Sequence, residues 1–451
     1  MNDDRARDAL LLAERALDAV MADRVVTEAE ALVIAEDEAL TRFANSEIHQ
    51  NVAEIDVTVN LRVAIGKRVG VASSGRTDSE GLRRLAENAT AIARVVEGLE
   101  DWAGLPGPTA VTPIDAGFAS STASASPELR ADGVRAVIGA ADAAGVTAYG
   151  SFSSGTESVA VANSAGVRVA GTRTVAQLLT VSMGPGGGSG YAEQASVDID
   201  AIDAGSIGRE AAEKAKATAN AVSLDAGDYP VVLEEYAVVD LLDMLGYLGF
   251  SALAVQEERS FVELGKRIGS ELVTVVDDGH DPAGIPMGFD YEGVAKQRVD
   301  LLDRGVCRGV VYDSQTAARD GVASTGHGLP APNPWGPFPL NMIMTAGDRS
   351  RDDLIGGLDR GLLVTRFHYT NPVHPKLAII TGMTRDGTFL VEDGRIVGPV
   401  KNLRFTQSYL DALACTVGVA RERRTLKGFL GGVVVPAIRL EAWTFTGTTE
   451  H

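Results

Sequence analysis

The stretch Ile55-Asp56-Val57-Thr58-Val59-Asn60-Leu61-Arg62-Val63 decides the fold. Apolar and polar residues alternate through it. Successive side chains of a strand point to opposite faces, so the alternation marks a strand with one face on a core and the other on solvent. Working outward, strands are expected at 30–36, 38–46, 54–64 and 69–73. A helix over 4–23 precedes them, with Ala9, Leu10, Leu12, Ala13, Ala16, Leu17 and Val20 at helical spacing. A second helix is expected from Thr77-Asp78-Ser79-Glu80 to about Glu97, where Thr77 as cap and Glu80 three residues on make a capping-box pattern.

The same arrangement returns further along. A helix is expected near 127–144, strands through 147–183 and a helix near 205–221. A shift of 118 positions aligns Ala44-Asn45-Ser46 with Ala162-Asn163-Ser164, Val57 with Val175, Leu61 with Leu179 and Val63 with Val181. Gly66 and Gly70 then meet Gly184 and Gly188. Such self-similarity predicts an internal duplication of a helix-plus-meander unit, with Asn-Ser turns and glycines holding equivalent hairpins. The Gly-rich run Met183 to Gly190 lacks the Gly-Lys-Ser/Thr ending of a phosphate-binding loop and reads as a flexible hairpin tip flanking a peptide cleft.

From about Gly227 the pattern changes. A helix at 236–249 carries Val238, Val239, Leu241, Leu242, Leu245 and Leu248, and the remainder is strand-rich, with strands at 272–276, 376–383, 403–406 and 432–447. Asp393-Gly394 between Thr388–Val391 and Ile396-Val397 predicts a type I′ hairpin. The expected class is therefore α+β, with helix-plus-antiparallel-sheet units at the N-terminus and a β-rich C-terminal domain. The expected boundaries are 1–104, a Pro-, Ser-, Thr- and Ala-rich linker at 105–125, a central domain at 126–225 and a C-terminal domain at 226–451.

Several short motifs occur in a telling order. Arg42 to Asn51 contains Asn45-Ser46-Glu47-Ile48-His49-Gln50; Ser260-Phe261, Gly265 to Gly269, Val276-Asp277-Asp278 and Ser324-Thr325-Gly326-His327-Gly328 follow. In order and spacing the chain resembles the TldD/PmbA family, historically labelled modulators of DNA gyrase and understood as peptidases. The resemblance implies helix-and-sheet N-terminal domains and a β-rich C-terminal domain enclosing a cavity for unfolded peptide. Active members carry a His-Glu-x-x-x-His helix with a Cys near the C-terminus as third zinc ligand, where imidazoles hold the metal and the Glu handles a proton. Laid on that pattern, the chain offers Glu234 at the first His, Glu235 at the general base, Val239 at the second His and Leu430 near the Cys. It therefore resembles the TldE (PmbA) branch. That implies no zinc in this chain, no catalytic residue of its own, and pairing with a zinc-bearing TldD-type subunit or with itself around an unfolded peptide.

The alternatives are a stand-alone amide hydrolase with a rebuilt site and a homodimeric peptide-binding module. The histidines His49, His280, His327, His368, His374 and His451 include no helical pair; His368 and His374 come closest, in a stretch that Pro372 and Pro375 mark as a loop. Adjacent Glu234 and Glu235 at a helix start read as complements to the helix dipole. Expected peptide-facing residues are Ser324, Thr325, Gly326, His327, His368, Tyr369, Asn371 and His374.

Composition closes other routes. A formal charge of −20 and the lack of a basic patch with aromatics argue against nucleic acid. No apolar run approaches bilayer length. The start, Met1-Asn2-Asp3-Asp4-Arg5, is not in signal-peptide order, and Cys307 and Cys415 are far apart, so the cytoplasm is expected.

Overall fold

The computed structural model describes residues 2–429 and 431–449; Leu430 and His451, singled out from the sequence, lie outside them. The first unit runs α1 (Asn2–Met21), β1 (Glu28–Ala44), β2 (Glu47–Ile65), β3 (Arg68–Ser74) and α2 (Ser79–Val95). A short helix α3 (Ser120–Ala123) follows, inside the stretch expected to be linker. The second unit has α4 (Pro127–Ala144), β4 (Thr147–Asn163), β5 (Arg168–Met183), β6 (Ser189–Ser196) and α5 (Ala204–Ala217). Both units therefore have the order helix, three strands, helix.

All six strands form one antiparallel sheet in the order β3-β2-β1-β4-β5-β6, with β1 and β4 side by side at its centre. The repeated Ser residues tie the halves together. Ser46 donates its N–H to Ala148 O (3.0 Å) and accepts Ala148 N–H on Oγ (3.0 Å); Ser164 does the same with Ala29 (2.8 and 3.0 Å). Asn45 and Ser46 both sit at positive φ, as a two-residue type I′ turn requires. A Cβ on Gly70 would overlap Ala89 O and Ala93 N of α2, and one on Gly190 would overlap Ala211 O and Ala215 N of α5. Glycine at these places lets each helix lie directly on its strand.

Two local expectations are corrected. The strands expected at 30–36 and 38–46 are the single strand β1, because Asp37 and Glu38 continue its ladder with Ile55 and Glu54. Asp78, not Thr77, caps α2, accepting Gly81 N–H at 2.7 Å. The glycine-rich run is, as expected, the tip between β5 and β6, and its Gly186 O accepts Asn220 N–H at 3.0 Å.

The C-terminal part begins with β7 (Gly227–Leu233) and α6 (Glu235–Leu248). Its further strands are β8 (Val275–Asp277), β9 (Val299–Asp303), β10 (Val306–Cys307), β11 (Met342–Met344), β12 (Arg360–His374), β13 (Ile379–Glu392), β14 (Arg395–Pro399), β15 (Leu403–Ser408), β16 (Thr416–Lys427) and β17 (Gly432–Thr448). Pairings β7–β12, β12–β13, β13–β15, β15–β17 and β17–β7 run in a ring. Trp443 fills it, fully buried, with its ring centroid 4.8 Å from Phe367 and 5.1 Å from Phe405. α6 lies against β12 and β17 and is apolar on most of its surface. Asp393 (φ 47°) and Gly394 (φ 72°) make the expected type I′ turn between β13 and β14.

The stretch Phe367–His374, expected to be a loop, is the end of β12. Three register breaks against β13, one of them between His368 and Asn371, absorb Pro372 without ending the strand. The strand expected at 272–276 is confined to Val275–Asp277, and the one expected from 376 starts at Ile379 after a turn at Pro375–Leu377. Among the described residues no helix is long and apolar enough to cross a membrane.

Candidate functional site at the acidic face of α6

The start of α6 is sealed by charge. Glu234, 2% exposed, caps the helix without a side-chain cap bond; its carboxylate instead meets Lys214 Nζ at 2.6 Å and Arg351 Nη1 at 3.1 Å. Lys214 also binds Glu210 at 2.8 Å, and Arg424 binds Glu210 at 2.9 Å and the Tyr236 hydroxyl. Burial opposes ionisation of Glu210, yet Lys214 and Arg424 hold its carboxyl down at about 2. Glu235 is less well served. It lies 3.6 Å from Arg351, its Oε2 lacks a hydrogen-bond partner, and burial and Glu234 push its carboxyl up. Glu235 lies in the first turn of α6, where an acid complements the helix dipole, while Glu234 at the cap is in addition a strut in a buried ion network; Val239 is buried.

The chemistry lies one to three turns further along. Asp240, Asp243 and Tyr247, at i, i+3 and i+7, share a face of α6 and line a cavity of about 540 Å³ with Met244, Thr370, Asn371, Pro372, Lys427, Gly428 and Phe429. Asp240 accepts the hydroxyls of Thr370 (2.6 Å) and Tyr409 (2.7 Å). Burial pushes its carboxyl up, partly offset by those two donors. Asp243 accepts Phe429 N–H on Oδ2 at 2.9 Å. Burial lifts its carboxyl to about 7, with Asp240 adding to the rise. A carboxyl titrating near neutrality can exchange a proton or take a cation at physiological pH.

A second, smaller cleft of about 110 Å³ lies between the six-stranded sheet and the C-terminal part, lined by Glu36, Glu38, Glu157, Arg173, Lys427 and Gly431 among others. Lys427 borders both spaces.

Of the residues expected to face peptide, Asn371 lines the α6 cavity, while Tyr369 (77% exposed) and His374 lie on the surface nearby. His368 is half-buried, and its imidazole is kept neutral by burial and by Arg385 and Arg366. The Ser324–Gly328 segment turns elsewhere. His327 is completely buried, donating Nε2–H to Asp277 Oδ1 at 2.7 Å and meeting Thr325 Oγ1 at 2.9 Å through Nδ1. Burial and the charge of Lys296 push its pKa down, so the ring is neutral. Ser324 Oγ and Thr325 Oγ1 bond to the backbone of Tyr312 (3.1 and 2.7 Å). His327 thus faces Asp277 and not a cleft. Asp240, Asp243, Tyr247 and Phe429 were missed from the sequence. Only the two aspartates had a signal, two acids three apart in a helix whose one other charge is Glu235 at its start.

Residues 226–447 match the PmbA/TldA metallopeptidase C-terminal domain, residues 29–93 its domain 1 and residues 121–219 its central domain. The chain belongs to the TldD/PmbA family. A Metalloprotease TldD homolog of Haemophilus influenzae is 28% identical over 291 residues, 59% of this chain and 58% of its own length. A metalloprotease of Methanothermobacter thermautotrophicus is 28% identical over 240 residues, 52% of each chain. The chain spans about half the length of the curated relatives it matches. Its fold is similar to the crystal structure of TldE from Thermococcus kodakarensis, with a TM-score of 0.88, 22% identity, and 96% of this chain and 99% of that chain covered. A Thermotoga maritima protein described in terms of DNA gyrase modulation gives 0.85 at 20% identity, with the same coverage.

The family implies zinc, and the donors here do not fit it. Both oxygens of Glu234 are engaged by Lys214 and Arg351, and Val239 has no donor atom. Where α6 meets residues 428–429, the acids that line the space are Asp243, which binds Phe429 N–H, and Asp240, whose carboxylate is taken by Thr370 and Tyr409. Among the described residues no group of three or more His, Cys, Asp or Glu is placed to hold a metal, whereas a zinc site needs three or four ligands.

Proposed function

We propose that this TldD/PmbA chain is a TldE-like subunit without a zinc site of its own, which completes a peptide chamber with a zinc-bearing TldD-type partner that cleaves unfolded peptides or peptide precursors. The observation that carries the reading is the occupation of the zinc-helix positions. Glu234 is locked between Lys214 and Arg351 at 2.6 and 3.1 Å, an arrangement that a metal would have to dismantle at the cost of exposing buried charges to one another. The fold likeness to an archaeal TldE supports the same reading. In it, the carboxylates of α6 and the exposed edge at Tyr369–His374 face the substrate, and the chemistry of hydrolysis resides in the partner. The cytoplasm is the proposed compartment.

The experiment is reconstitution. The purified chain is mixed with a zinc-bearing TldD-type subunit from the same genome, and assembly mass and hydrolysis of an unfolded peptide are followed together. Turnover that appears only in the mixed assembly supports the reading. Zinc-independent turnover by the chain alone would instead support a stand-alone hydrolase, and peptide binding without any partner's gain in activity a homomeric binding module.

A further inference from the structure

We propose that the α6 cavity is a subsite for one organic cation, the ammonium or guanidinium end of a basic side chain carried by a peptide segment. The inference deepens the peptide-chamber reading above and rests on it. Three observations support it. The cavity, at about 540 Å³, has room for a long side chain and the backbone that carries it. Its inner wall holds two carboxyls on one face of α6. Asp240 has one oxygen on the Thr370 hydroxyl and one on that of Tyr409, whereas Asp243, which lines the space, has an Oδ1 beside Gly428 with no hydrogen-bond partner among the described residues. Its outer walls are apolar and aromatic: Met244, Pro372, Tyr247 (41% exposed) and Phe429 (64% exposed).

Each wall matches a part of the same ligand. The methylene stem of a lysine or arginine covers apolar surface while its charged head seeks an acceptor, and aromatic faces attract cations. A neutral side chain would leave Asp243 Oδ1 unpaired. An acidic one would meet two carboxyls. Lys427 also lines the cavity, without an ion pair to Asp240 or Asp243 among the described residues, and it borders the Glu36, Glu38 and Glu157 cleft, where its charge partly offsets the burial-driven rise in the pKa of Glu36.

The proton on Asp243 makes the subsite pH-sensitive. Its surroundings are Asp240 and Tyr247 on the same helix, Lys427 at the end of β16, Phe429 N–H from the segment that follows, and Thr370 from β12. Ionisation near neutrality means that a cation binds the carboxylate and displaces the proton, so binding strengthens as pH rises through about 7.

The test uses the purified full chain in excess chelator and two capped peptides that differ only in lysine against norleucine, titrated by calorimetry at about pH 8. The lysine peptide is expected to bind at least about tenfold more tightly, with the preference erased in Asp243→Asn and weakened in Phe429→Ala, whose ring is on the surface. Equal affinities for the two peptides would overturn the cation subsite while leaving the chamber reading intact. Unchanged preference in Asp243→Asn would overturn it as well, as would binding of neither peptide, whereas the chamber reading stands or falls on the reconstitution with the partner subunit.

Discussion

Replacing Glu234 and Glu235 one at a time by glutamine separates a buried strut from a mere helix-end charge. Glu234→Gln removes the carboxylate that Lys214 and Arg351 share at 2.6 and 3.1 Å. Breaking one side of a buried pair costs about 3–5 kcal/mol when the remaining charge is stranded. Here it is not wholly stranded, because Lys214 keeps Glu210 at 2.8 Å and Arg351 keeps Glu235 at 3.6 Å. A loss of about 2 kcal/mol is therefore expected, which for a unit of this size lowers the melting temperature by about 4–8 °C. Glu235→Gln should behave oppositely. Burial and Glu234 raise the Glu235 carboxyl, and its Oε2 meets Arg351 only at 3.6 Å and makes no hydrogen bond, so deleting the charge removes a penalty that this weak pair offsets in part and leaves stability at about pH 8 unchanged or higher. Differential scanning calorimetry on both variants decides the matter. If both glutamates only complemented the α6 dipole, each change would cost a similar small amount, about 0.3–1 kcal/mol. Equal losses in the two variants would refute the strut.

Further outcomes follow from the same geometry. Asp243 is held at about 7 in the fold against about 3.9 unfolded, so the folded state binds this proton more tightly; its contribution to stability is present at low pH and is lost as pH rises through about 7. Denaturant titration at about pH 5 and about pH 8 should show a smaller loss for Asp243→Asn than for the parent, and equal losses would contradict the assignment. Gly190→Ala places a Cβ into Ala211 O and Ala215 N of α5 and should destabilise the second unit by about 1–3 kcal/mol in the same assay. Trp443→Ala empties the centre of the β-ring, for which about 3–5 kcal/mol is expected, read as a fall in the denaturation midpoint.

The first two units were readable because their strands are long and half-buried, so period-two alternation survives through β2 and β5 and the 118-residue shift brings Ser46 onto Ser164. Where the sequence misled, a local rule was overridden. Asp37-Glu38 looks like a strand break, but the central β1 needs only backbone to pair with β2 and β4. Prolines in Phe367–Pro375 suggested a loop, yet bulges let β12 carry Pro372 at an exposed place. His327 was expected to face peptide, but its partner Asp277 is 50 positions away and no local pattern announces such a pair. The α6 cavity was hidden for a related reason. Asp240 and Asp243 acquire meaning only when Thr370, Tyr409 and Phe429, from three distant segments, close around them.

The central claim is that this family member has traded a zinc site for a buried ion network. Elemental mass spectrometry on the chain expressed alone and purified without chelators tests it most directly. The account predicts essentially no zinc per chain; close to one equivalent, retained on dialysis, would contradict it.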